Sequence, residues 1–181
     1  MEDLSLHILD IAENSINAGA NKILIKIVGD TKKNLLTIKI FDNGSGMDED
    51  TIKMAYNPFF TTKTAKKVGL GIALLGQAAR ESSGDISITS KRGEGTTITA
   101  TFQYNHIDRK PLGDITKTMT VLIAANPGID FIFDYRKNSH VYSLDTTEIK
   151  EEIGSVPIND PEVINFIKND ISAWLNDVRE W

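Results

Sequence analysis

The sequence predicts an α+β two-layer sandwich: a largely antiparallel sheet with helices on one face, followed by a small α/β extension. Two observations carry this. Runs that alternate apolar and polar residues come as neighbouring pairs, 22–28 with the run ending at Phe41, and 85–90 with 96–102, as hairpins do. Segments with apolar residues at helical spacing stand before and between those pairs, an order that places helices on one face of the sheet. A doubly wound fold is excluded. Strict strand–helix alternation is missing, as are a dinucleotide fingerprint after a first strand and a Gly-x-x-x-x-Gly-Lys-Ser/Thr loop.

The first helix is predicted over residues 3–18. Leu4, Ile8, Ile11, Ala12, Ser15 and Ile16 share one side, and Asp10, Asn14 and Asn17 stack on the other, with Glu13 beside them. Gly19 ends the helix as a left-handed cap. A strand over 22–28, a polar turn over 29–34 and a strand ending at Phe41 form a hairpin. After a loop at Asp42, a short helix over 48–55 takes Asp48 as its N-cap. A helix runs from the glycines at 69–71 to about Glu81, closed by Gly84. Two strands, 85–90 and 96–102, then meet over the glycine-rich turn 91–95.

Composition narrows the function. The 181 residues suit one domain with an extension, and 40% hydrophobic with 25% charged content is globular. A net charge of −5 without a long basic run speaks against nucleic acid held by bulk charge. The absence of cysteine excludes disulfides, thiolate catalysis and iron–sulfur ligation. His7, His106 and His140 lack metal-ligand spacing, and His7 is expected at the surface or an edge. No apolar stretch approaches membrane length and the start is acidic, so a cytoplasmic protein without membrane contact is expected.

Two stretches carry candidate chemistry. At a strand end, the Asp42 carboxylate can accept from an exocyclic amine, and Gly44 and Gly46 let a flat ring approach the backbone. That suits a purine seat, although Asp-Asn-Gly also composes an ordinary turn. Gly69, Leu70 and Gly71 stand at a helix mouth, whose free N–H groups suit phosphate. Lys63, Lys66 and Lys67 just before add positive charge, or are ordinary surface lysines.

Five blocks in order resemble the superfamily of gyrase, heat-shock chaperone, histidine-kinase and mismatch-repair ATPases. Residues 10–20 (DIAENSINAGA) resemble its asparagine box, in wording nearest to mismatch-repair proteins, and 42–46 (DNGSG) its first glycine box. Residues 58–63 (PFFTTK) and 69–72 (GLGI) resemble the phenylalanine box and second glycine box of histidine kinases, and 93–97 (GEGTT) the closing Gly-Thr block. The resemblance implies the Bergerat-type ATPase fold, a mixed, mostly antiparallel sheet covered on one face, over residues 1–104.

It also implies roles. Asn14 ligates Mg²⁺, and Asn17 lies near the phosphates of ATP or ADP. Asp42 accepts from the adenine amino group, with Gly46 near the base and Thr96 or Thr97 adding a contact. Gly69 and Gly71 wrap the phosphates, and residues 61–68, with Thr61, Thr62 and Lys63, form a lid. Hydrolytic members carry glutamate four residues before the magnesium asparagine; here Asp10 stands there, one methylene shorter, which implies slow hydrolysis. His7 lacks the context of a phosphoacceptor, and no long transducer domain follows.

Residues 105–181 form the extension. It reads as a helix over 114–125, a hairpin of 129–136 with 140–144, a short helix opening at Asp145, and a last helix from Pro161 to about Glu180. It is expected to pack on the core, to bury a homodimer face or to dock a partner protein, and Trp174 and Trp181 hint at an interface. Two functions follow from the resemblance: Mg²⁺-dependent ATP binding with slow hydrolysis or phosphoryl transfer to a partner, or a nucleotide-gated binding module with little turnover.

Overall fold

A computed structural model describes residues 3–56 and 70–179, with the side chain of Arg179 set aside. Helix α1 (Leu4–Asn17) starts at Asp3, whose carboxylate accepts from Leu6 N, and ends before Gly19 at φ +77°. Strands β1 (Lys22–Asp30) and β2 (Leu35–Asp42) form the first hairpin. Asp48 caps α2 (Glu49–Ala55) by accepting from Thr51 N. Those Thr51 hydrogen bonds, aided by Arg92, hold the Asp48 carboxyl at about 2. Helix α3 (Gly71–Glu81) precedes the hairpin of β3 (Ile86–Lys91) and β4 (Gly95–Gln103). Then come α4 (Ile115–Ala125), the hairpin of β5 (Asp130–Lys137) and β6 (His140–Asp145), α5 (Thr146–Ile153) and α6 (Pro161–Arg179).

All six strands join one sheet in the order β3-β4-β2-β1-β5-β6. Every pairing is antiparallel except that of β1 with β5. The extension therefore continues the sheet rather than standing beside it. One face carries Ile23, Ile25 and Ile27 of β1, Ile38 and Ile40 of β2, Ile98 and Ala100 of β4, and Phe131 and Phe133 of β5, all buried. Burying each of those phenylalanines contributes about 1.5–3 kcal/mol, which fixes β5 against β1. The alternate residues Lys26 and Lys39 are exposed on the other face.

The helices lie across the buried face, with α1 between α3 and α4, and α4 against α6. Tyr142 donates to Asp170 Oδ2 at 2.6 Å and ties β6 to α6. Trp174 packs on Tyr135 and Tyr142, with ring centroids 5.0 and 5.5 Å away. Its face is thus turned inward, onto the extension's own strands. Trp181 lies outside the described residues.

The segment before α4 also grips α1. Pro111 and Leu112 carbonyls accept from Leu4 N and Ser5 N at 2.9 and 2.8 Å, satisfying two free N–H groups of the first turn. His7, expected at a surface or an edge, is 2% exposed, and its Nδ1 has no partner among the described residues. It borders the apolar stripe of α1, at the end of the helix that the 111–112 segment covers. Burial, the largest cause, lowers its pKa below 6.5. The unfolded chain then takes up a proton that the fold refuses, so stability falls as pH drops through 6.5 towards the lowered value. Denaturant midpoints at pH 7.5 and 5.5 are expected to show that loss, and His7→Gln to lessen it.

Candidate functional site

The site forms where α1, the β2 end, the β3–β4 turn and the start of α3 meet. Helical spacing brings Asp10 and Asn14 onto one side of α1. Asp10 and Asn14 are half-buried, while Asn17, at the last position, is exposed, as is Glu13. Asn14 Nδ2 is buried and has no hydrogen-bond partner among the described residues. A buried amide N–H left unmade costs about 1–3 kcal/mol, so this side chain fits a ligand better than a core.

Asp42 is buried at the end of β2. Its Oδ2 accepts from Ser15 Oγ at 2.7 Å and its Oδ1 from Gly44 N at 2.9 Å. These two donors fix the carboxylate plane, and a carboxylate has lone pairs left for a third donor. Ser15 is also 3.2 Å from the Ile11 carbonyl, but its one hydrogen goes to the shorter, charged acceptor.

The first glycine loop is stitched to the β3–β4 turn. Ser45 O accepts from Gly93 N at 2.8 Å, and Arg92 pairs with Asp48 at 2.5 Å. Gly46 lies at φ +66°, and a Cβ there would stand 2.0 Å from the Lys91 carbonyl oxygen. The glycine's first role here is thus close approach of two backbones. Thr96 faces Asp42 across the β2–β4 ladder on the same side and is 8% exposed. Thr97 alternates to the opposite face, so only Thr96 of the two joins Asp42.

Gly71 is the first residue of α3, at the helix mouth. A Cβ on it would stand 1.6 Å from Asp10 Oδ2, so α3 starts directly against the Asp10 carboxylate. Leu70, 48% exposed, is the α3 N-cap and makes no side-chain cap bond. Thr61, Thr62, Lys63 and Gly69, with the lid over 61–68, lie outside the described residues. Ser15 and Ser90 are the site residues that motif reading passed over. Ser15 sits next to Asn14 but reads as part of the apolar stripe. Ser90 could have been found by counting back across the hairpin turn from Thr96.

Fold and site together are those of a nucleotide-binding domain. Residues 2–106 match the family model described as histidine kinase-, DNA gyrase B-, and HSP90-like ATPase, and the chain belongs to that family, an ATP-binding fold. Among relatives, it is 28% identical over 106 residues to the sensor histidine kinase ZraS of Escherichia coli K12, covering 59% of this chain and 23% of that protein. It is 33% identical over 113 residues to the tetrathionate sensor histidine kinase TtrS of Salmonella typhimurium, covering 60% and 18%. The chain thus spans less than a quarter of the length of these relatives. Among solved structures, the Aquifex aeolicus MutL ATPase domain complexed with ADP superposes with a TM-score of 0.50 at 18% identity, covering 84% of this chain and 68% of that one. The N-terminal domain of a DNA repair protein gives 0.55 at 19% identity, covering 80% and 53%. These two likenesses concern the fold. Among the described residues, no helix is long and apolar enough to cross a membrane.

Proposed function

We propose that this chain binds ATP with Mg²⁺ and couples it to slow hydrolysis or to phosphoryl transfer onto a partner protein. The observation that carries the reading is the buried pair of polar groups at one end of the sheet. Asp42 is oriented by two donors with acceptor capacity left over, and Asn14 Nδ2 is unpartnered among the described residues. Asp42 would hold the adenine amino group. Asn14 would offer its amide oxygen to the metal, a hard ligand of the kind Mg²⁺ takes. Among the described residues, no three His, Cys, Asp or Glu side chains gather to hold a metal alone. An ion that keeps most of its waters and phosphate oxygens fits so sparse a set. Bound there, it would neutralise charge developing on the transferred phosphoryl group.

Asp10 is the carboxylate one helical turn before Asn14 on the same side of α1, and would orient a water or an acceptor hydroxyl. Its contact with the start of α3 also favours a second reading. While Gly71 abuts the carboxylate, Asp10 is not open to a water on that side, which suits a module that turns over little and switches shape instead.

Titration calorimetry with ATP and Mg²⁺, followed by phosphate release from the same sample, tests both. An enzyme binds and releases phosphate steadily, and Asp10→Asn lowers release at least tenfold while sparing binding. A module binds and releases nothing, in parent and variant alike. Absence of binding in the parent sinks the proposal.

A further inference from the structure

Ser90 stands on β3 opposite Thr96, which itself stands opposite Asp42. Three strands thus bring Asp42, Thr96 and Ser90 side by side in one row. The Ser90 hydroxyl has three partners. Met47 N donates to it at 2.8 Å, the Gly95 carbonyl lies at 2.9 Å, and Thr96 Oγ1 lies at 2.9 Å. A hydroxyl has one hydrogen and two lone pairs. The Met47 amide can only donate and the Gly95 carbonyl can only accept. One assignment therefore makes all three bonds at once. Ser90 gives its hydrogen to Gly95, and takes one from Met47 and one from Thr96.

That assignment spends the Thr96 hydrogen. What Thr96 shows beside Asp42 is then a pair of lone pairs. Asp42, already an acceptor for Ser15 and Gly44, shows the same. Asp42 and Thr96 together present acceptors alone. At the 6-position, which the adenine reading sets against them, a 6-amino purine presents a donor. A 6-oxo purine presents an acceptor there, its N1–H donor lying one ring position away, and a rotatable threonine hydroxyl would relieve the mismatch by turning its hydrogen outward.

We infer that Ser90 is a positioning residue for base selection: it fixes the direction of the Thr96 hydroxyl, so that the site rejects 6-oxo purines. The same hydroxyl pins the first glycine loop, through Met47, to the hairpin that bears Thr96. The inference rests on the adenine reading proposed above, and its consequence is a ratio of affinities rather than a rate.

The test is calorimetric binding of ATP and of inosine triphosphate, each with Mg²⁺, to the parent, Ser90→Ala, Ser90→Thr, Thr96→Val and the Ser90→Ala/Thr96→Val pair. The parent is expected to prefer ATP. Ser90→Ala is expected to lower that preference at least about fivefold, the scale of one neutral hydrogen bond. Ser90→Thr, which keeps the hydroxyl, restores it. In the Thr96→Val background, Ser90→Ala changes the preference no further, because no hydroxyl is left to direct. Amide exchange at Met47, measured without ligand, is expected to be slow in the parent and in Ser90→Thr and faster in Ser90→Ala.

If the parent binds ATP and the preference is unmoved in Ser90→Ala, the inference is overturned and the adenine reading stands. A loss of preference that persists in the Thr96→Val background also overturns it, since Ser90 would then act through the fold alone. If the parent binds neither nucleotide, both fall. Should Ser90→Ala not fold, Thr96→Val against the parent decides: an unchanged preference overturns the inference.

Discussion

Asp42→Ala is expected to weaken ATP binding about 10- to 100-fold, measured by calorimetry on protein whose circular dichroism is unchanged. The change removes the acceptor for the adenine amino group, and it also leaves the Ser15 hydroxyl and the Gly44 N–H without their partner. A hydrogen bond to a charged group contributes roughly 1.5–3 kcal/mol, and about 2.7 kcal/mol is a factor of 100. Asp42→Asn separates the two losses. Its amide oxygen still accepts from Ser15 or Gly44, but its NH₂ presents a donor towards the amino group. It is expected to lose ATP affinity to a similar degree while costing less stability than Asp42→Ala. Equal ATP affinity in the parent and Asp42→Asn would remove Asp42 from base recognition.

Gly95→Ala is expected to be strongly destabilising, on a par with Gly46→Ala. Gly95 lies at φ +95°, and a Cβ there would stand 2.0 Å from the Asp42 carbonyl oxygen and 2.8 Å from Asn43 Cα. The obstacle is backbone on both counts, so relief requires β2 and β4 to part. The left-handed conformation costs about 1–2 kcal/mol in an alanine, and the parting adds to it. A total of about 3 kcal/mol lowers the melting temperature by about 6–12 °C in a chain of this size. Gly93→Ala is the control. Its φ of +79° carries the same kind of strain, but nothing lies within 4 Å of the added methyl. It is expected to cost about 1 kcal/mol and a few degrees. Equal melting temperatures for the two variants would contradict the contact.

Local elements were legible because their signals are local. Asp48 and Asp145 stand before helices and accept from Thr51 N and Thr147 N, as their positions in the sequence predict. The alternation in the strand running to Phe41 and in 96–102 also places Asp42 and Thr96 on one side once the hairpins pair. What the sequence hides is non-local. The hairpin of β5 and β6 is readable, but its parallel seat on β1 depends on Phe131 and Phe133 meeting the helix layer. His7 reads as an edge residue because the 111–112 segment that covers its end of α1 comes a hundred positions later. The approach of Gly71 to Asp10 appears only when α3 is laid beside α1. Ser90 belongs to no recognisable block, and its weight comes from three neighbours on three segments.

The family likeness ends at residue 106, but the tertiary structure does not break there. A chain cut at that point would turn β1 from an inner strand into an edge and leave its backbone groups open to any strand that came by. Helix α1, which carries Asp10 and Asn14, would lose α4 from its flank and the two carbonyls that hold its first turn. The excised piece is expected to aggregate. What the family model describes as one module here leans on a buttress beyond it, so any force applied to residues 105–181 reaches α1 without crossing a hinge.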